Sequence, residues 1–218
     1  MFAVEVENLS VAYDGRCIIK DYSFTVDAGE AVLLKGSSGC GKSTFLHTIC
    51  GMIPGSIQAE MSGEILIFGR NVLTLSVAER AREIGVVFQN PETQLFCGSV
   101  EDEIAFGMEN LCTPNDEMKR RIDEMLALTG LAQHRSVSAK ELSGGQKQLV
   151  VLAAVLALDP KILLLDEALS QLDNSGRQAL KTQLLALRRE GRTLLIVDHD
   201  GNLEPIFDRV VDLEGEWS

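Results

Sequence analysis

Val4-Glu-Val-Glu alternates apolar and polar positions, and Ile18 to Val26 does so more loosely. That period of two predicts strands with one buried face, here an antiparallel unit near the N-terminus. Shorter runs are apolar at both parities: Ala31 to Lys35, Gly85 to Phe88, Lys161 to Asp166 and Thr193 to Val197. Strands of that kind are buried on both faces, as in a parallel sheet. Ser62 to Phe68 reads as a further strand. Helical composition follows at Phe45 to Cys50, Val77 to Glu83 and Ser175 to Arg189, and over most of Asn90 to Leu158, including the charged stretch Asp116 to Leu128. Strand, helix and strand in repetition predict an α/β fold: a mostly parallel sheet covered on both faces, with an antiparallel β subdomain. The longest apolar run, Leu149 to Leu158, has ten residues. A membrane span needs about 20, so the run is expected as a buried helix. With no internal repeat, low-complexity segment or linker, the 218 residues are expected to form one domain.

Charge narrows the partners. Thirty-two acidic against 20 basic side chains give a formal net charge of -12. Nucleic-acid binding needs a dense positive footprint, and adsorption to anionic lipid a basic surface, so both are disfavoured. Docking onto a membrane protein is not. The cysteines Cys17, Cys40, Cys50, Cys97 and Cys112 are scattered without a C-x-x-C pair. They fit neither a disulfide framework nor a zinc site and suit a reducing cytosol. Met1-Phe-Ala-Val-Glu-Val-Glu has no basic start followed by an apolar core, so no secretory signal is expected.

Gly36-Ser37-Ser38-Gly39-Cys40-Gly41-Lys42-Ser43-Thr44 matches G-x-x-x-x-G-K-[ST] between a predicted strand and a predicted helix. Glycines at these spacings let successive N–H groups turn inward around phosphate oxygens, and the helix adds its positive end to the same anion. Lys42 is expected on the β- and γ-phosphates, and the Ser43 hydroxyl on Mg²⁺. Ile162-Leu-Leu-Leu-Asp166-Glu167 then delivers Asp166 to the carboxyl edge of the sheet, suited to hold Mg²⁺ through water. Glu167 is suited to polarise the attacking water. Together these point to a nucleoside triphosphatase.

Leu142-Ser143-Gly144-Gly145-Gln146 precedes the predicted helix Lys147 to Leu158, so its N–H groups converge as a second anion-binding device. With this motif the chain resembles the ATPase subunit of ATP-binding cassette (ABC) transporters over nearly its whole length. The resemblance implies a P-loop NTPase core with a helical signature subdomain: a RecA-like core at 1–89 and 159–218 and a helical part at about 90–158. It implies ATP and Mg²⁺ as ligands and a head-to-tail dimer, homo- or heteromeric. In that dimer Ser143, Gly144, Gly145 and Gln146 act on nucleotide held by the partner chain. It further implies Tyr13 stacked on adenine, Gln89 touching Mg²⁺ and the attacking water, Asp173 at the partner chain, and His199 on the γ-phosphate. His47 and His134 are read as ordinary surface or core histidines.

The chain departs from the family pattern at Leu149, where Arg is frequent, at Asp198, where Thr or Ser is, and at Leu169 and Gln171, where Thr and Ala are. None of these removes a group acting in phosphoryl transfer. Asp198 adds a carboxylate beside a phosphate site. Phe88-Gln-Asn-Pro-Glu-Thr-Gln-Leu-Phe96, Ser99 to Asn110, Gly51-Met-Ile-Pro-Gly55 and Gly63-Glu-Ile resemble the energy-coupling-factor importers of vitamins and metal ions. The resemblance implies a subunit peripheral to the cytoplasmic face of the membrane, bound to integral membrane subunits, with Leu95 and Phe96 either exposed to receive a membrane-subunit helix or packed internally. Two alternatives stand beside it. One is a soluble ABC ATPase outside transport. The other is a regulatory half-site that binds ATP and hydrolyses it weakly, a reading that Asp198 keeps open.

Overall fold

The computed structural model describes residues 1–170, 172–198 and 206–214. The N-terminal alternation becomes a long hairpin, β1 (Phe2–Tyr13) and β2 (Arg16–Asp27), closed by a turn at Asp14 and Gly15. Strand β4 (Glu60–Ile67) pairs with β1 antiparallel, and the two-residue β5 (Arg70–Asn71) completes a sheet ordered β2-β1-β4-β5. The second sheet is parallel and ordered β6-β7-β8-β3-β9. Its strands are β3 (Ala31–Lys35), β6 (Ile84–Val87), β7 (Ile162–Asp166), β8 (Thr193–Val197) and β9 (Arg209–Asp212).

Both faces of the parallel sheet are buried, and the period of two divides its residues between two cores. Val32 and Leu34 of β3, with Ile162 and Leu164 of β7, face the antiparallel sheet and α1 (Lys42–Ile49). There they meet Val4, Val6, Phe24, Phe45 and Ile49, and the rings of Tyr22 and Phe24 stand edge-on to Phe45 at 5.6 and 5.5 Å. Ala31 and Leu33, with Leu163 and Leu165, face the other way. They pack against Leu152 of α5 (Gly144–Leu156) and Leu180 and Leu184 of α6 (Asn174–Arg189).

A third core joins α3 (Val100–Asn110), α4 (Asn115–Thr129) and α5 through Ile104, Met108, Ile122, Leu126 and Val150. Helix α5 belongs to two cores, so it ties the helical part to the sheet. Helix α2 (Val77–Glu83) is started by a full capping box, with Ser76 and Glu79 satisfying each other's backbone N–H groups. Among the described residues no helix is long and apolar enough to cross a membrane.

Two departures from the family pattern find their reason in packing. Leu169 is 2% exposed within the second core, and Leu149 packs between the second and third. Each fills apolar space where the usual polar residue would need a partner. Of the two readings of Leu95, internal packing is the one seen. Leu95 is partly buried between the same two cores, and only its neighbour Phe96 stands out, at 63% exposure.

Candidate active site

Strand β3 feeds a loop in which Gly36, Gly39 and Gly41 all take positive φ. Two of these demand glycine. A Cβ at Gly36 would stand 2.7 Å from Cys40 Sγ, and Gly41 caps α1 in the left-handed conformation at φ 104°. The curl brings carbonyls as well as N–H groups to one centre. Lys42 Nζ donates to Gly36 O at 2.9 Å and to Ser37 O at 2.8 Å, with Cys40 Sγ at 4.0 Å. Lys42 as a whole is 4% exposed, held inside the loop. Ser37, Ser38 and Gly39 are exposed and Thr44 is half-buried on α1, one residue past Ser43.

Strand β7 lies next to β8, whose other neighbour is β3, so the end of β7 reaches the same sheet edge as the loop. Asp166 closes β7 near the Ser43 side chain, which pulls its pKa down. It is 5% exposed, and its Oδ1 is buried without a hydrogen-bond partner. Burial pushes the Asp166 carboxyl above its usual range, against the opposing pull of Ser43 and of His47. A buried carboxylate oxygen left unpaired beside a hydroxyl is the donor set of a hard divalent cation such as Mg²⁺.

Glu167 follows immediately and takes φ +48°. A non-glycine residue in that region costs about 1–3 kcal/mol and persists only where its surroundings enforce it. Here they do: Glu167 N–H donates to Val197 O at 2.9 Å, and Glu167 O accepts from Ser170 N–H at 3.0 Å. The side chain is thereby turned toward Gln89, whose Nε2 donates to Glu167 Oε2 at 2.7 Å. Gln89 lies just beyond β6, the neighbour of β7. Asp198, just beyond β8, is 8% exposed at the same edge.

His47 belongs to this site too, although its sequence context gave no reason to single it out. It lies four residues after Ser43, one turn along α1, which is the signal that points it at the same face. Its ring stands edge-on to Phe88 at 5.3 Å, and burial lowers its pKa despite the attraction of Asp166.

The signature segment is separate. Ser143 caps α5: its Oγ accepts from Gln146 N–H at 3.3 Å while Gln146 Oε1 accepts from Ser143 N–H at 3.0 Å. Ser143 and Gly144 are exposed and Gly145 is half-buried. Helix α5 is also fastened to the segment after β6. Gln148 Nε2 donates to Phe88 O at 3.2 Å, and Lys147 pairs with Glu92 at 2.6 Å.

Tyr13 closes β1 opposite Arg16, partly buried against the first core. Asp173 caps α6, its Oδ1 accepting from Gly176 N–H at 2.7 Å. His199 and Gln171 lie outside the described residues. Beside the Gln89 segment, a groove of about 370 Å³ is lined by Glu92, Leu95, Cys97, Glu103, Lys140 and Lys147. Phe96 stands edge-on to Phe106 at 4.6 Å, and both are exposed.

Residues 19–170 match the family described as ABC transporter. The chain is 38% identical to the energy-coupling factor transporter ATP-binding protein EcfA1 of Leuconostoc mesenteroides over 96% of this chain and 76% of that one. Among solved structures it is similar to cbiO1 of Clostridium perfringens, described as part of the ABC transporter complex cbiONQ. The TM-score is 0.81 at 32% identity, covering 97% of this chain and 84% of the other. A dimeric ATP-binding cassette in a post-hydrolysis state, bound to ADP and Pi, gives a TM-score of 0.84 at 26% identity, covering 96% and 93%. The chain spans 34% to 40% of the length of four archaeal relatives to which it is 38% to 41% identical.

Proposed function

We propose that this chain, which belongs to the ABC transporter family, is the ATP-hydrolysing subunit of a membrane importer of the energy-coupling-factor type. One observation carries the reading. The Lys42 loop, the Ser43–Asp166 pair and the Gln89–Glu167 pair converge on one edge of one parallel sheet.

The loop N–H groups and the N-terminus of α1 hold the phosphates of ATP, and Lys42 turns from the Gly36 and Ser37 carbonyls to the β- and γ-phosphate oxygens. Ser43 and Asp166, with Gln89, hold Mg²⁺, which when bound offsets the charge on the phosphates. Glu167 accepts a proton from water as the water oxygen attacks the γ-phosphorus and the bond to the β-phosphate oxygen breaks. Gln89 fixes the rotamer of Glu167. His199 serves the γ-phosphate, Tyr13 the adenine, and Ser37, Ser38, Gly39, Cys40, Gly41 and Thr44 complete the phosphate loop.

ATP joins two such subunits head to tail, each presenting Ser143, Gly144, Gly145 and Gln146 to nucleotide on the other, with Asp173 at the shared surface. The exposure of Ser143 and Gly144 and the likeness to a dimeric cassette support this arrangement. Closure and opening drive the membrane subunits, whose helix docks in the groove by Leu95 with Phe96 and Phe106 as its apolar rim. The likeness to EcfA1 and cbiO1 supports partners of this kind and a place at the cytoplasmic face of the membrane. The core, 1–89 and 159–218, then carries the nucleotide, and about 90–158 carries the signature.

Steady-state hydrolysis of Mg-ATP by the purified chain tests the reading. Lys42→Ala abolishes turnover and weakens nucleotide binding; an unchanged rate in that variant contradicts the assignment.

A further inference from the structure

The signature glutamine has a partner outside its own motif. Gln146 Nε2 lies 3.2 Å from Nε2 of His134, a residue 12 positions earlier. The direction of that contact follows from the rest of the amide. Gln146 Oε1 accepts from Ser143 N–H, so the other end of the carboxamide is the NH₂ group, which only donates. His134 Nε2 therefore accepts, and the ring proton sits on Nδ1.

His134 is well anchored for this task. Helix α4 ends at Gly130 with φ +70°, and Leu131 drops into the third core at 2% exposure. The 3-10 turn that follows ends at His134, whose N–H donates to Leu131 O at 2.8 Å and whose carbonyl accepts from Val137 N–H at 2.9 Å. Arg135 next to it is held in a two-pronged pair by Glu101 at 2.7 Å and by Asp123 at 2.5 Å. The turn thus ties α3 and α4 to the ring, and the ring to the first turn of α5.

We infer that His134 is a positioning residue for the signature motif. It accepts from Gln146 Nε2 and so holds the carboxamide with its oxygen on Ser143 N–H. Ser143 Oγ, already accepting from Gln146 N–H, then keeps its own proton to donate to a phosphate oxygen. A carboxamide turned the other way would set NH₂ against the Ser143 N–H and loosen the cap from which that hydroxyl is aimed. This rests on the reading that the signature of one chain serves nucleotide on its partner.

Four purified chains decide it: the parent, His134→Leu, His134→Gln and Ser143→Arg. Each is measured for kcat and KM for ATP, for binding of a fluorescent ATP analogue, and for its melting temperature. His134→Leu, which removes the acceptor, lowers kcat about five- to tenfold, the size of one lost hydrogen bond. Its analogue binding stays within twofold of the parent, because its own phosphate loop is intact. His134→Gln, whose side-chain oxygen can accept, recovers more than half of the lost turnover. Parental kcat in His134→Leu, or a Gln variant that recovers less than half, overturns the inference and leaves His134 a packing residue. Ser143→Arg separates the two levels: if it retains turnover, the signature reading itself fails, whatever His134 does.

Discussion

Gln89 donates from Nε2 to Glu167 Oε2 over 2.7 Å, joining the residues that follow β6 and β7 across adjacent strands. One partner comes from the carboxyl edge of the sheet and the other opens the segment that α5 grips through Phe88 and Glu92. Any displacement of that segment is therefore felt at the carboxylate. Gln89→Ala is expected to lower kcat about tenfold, because Glu167 loses the hydrogen bond that fixes its rotamer. Nucleotide affinity changes by less than threefold. Parallel kcat and binding measurements check the split.

Asp166 carries a buried oxygen without a partner, and burial raises its pKa. Above the raised value the native state holds a poorly solvated charge, so Asp166→Asn is expected to stabilise the nucleotide-free protein by about 1–2 kcal/mol at neutral pH. The sign follows from linkage. Between the ordinary carboxyl value of 3.8 and the raised one, the native state binds the extra proton, so lowering the pH relieves the cost. The gain in the Asn variant should fade as pH falls through that window, while turnover is lost at every pH. Denaturant melts at several pH values without nucleotide measure this.

His47 acts in the opposite direction. Burial lowers its pKa from 6.5, so below that value the unfolded chain takes up the proton first and stability falls as the pH falls. His47→Asn should remove that part of the slope as the pH falls below about 6.5. Thermal melts of both proteins across that range give the comparison.

Cys40 sits within the phosphate loop, with its Sγ 4.0 Å from Lys42 Nζ. Alkylation there adds bulk where phosphate must pass. A maleimide reagent should inactivate the chain, and ATP should protect it. Cys40→Ser should retain turnover and resist the reagent; inactivation that persists in this variant assigns the sensitivity to another thiol.

Legibility in the sequence followed how local the cause was. Val77–Glu83 and Thr193–Val197 occur where the pattern puts them, one started by a capping box and the other apolar throughout. β5 spans two residues and exists only because β4 offers an edge, so no periodicity announces it. The motif residues could be read because backbone curl, charge and helix start coincide within nine positions. His134 could not, since it owes its place to Gln146, brought near by folding, and His47 shows only in its spacing from Ser43. The burial of Leu95 is not decided by sequence for the same reason as His134, because its neighbours come from two cores that are distant in sequence.

In the proposed function, Glu167 activates water at a site completed by a second chain. Glu167→Gln keeps the size of the side chain and removes the base. Sedimentation of this variant with and without Mg-ATP, beside its single-turnover rate, tests both roles. Retained ATP binding, loss of turnover by about a hundredfold or more and an ATP-dependent dimer are expected. Turnover at the parental rate with no dimer would contradict the proposed function.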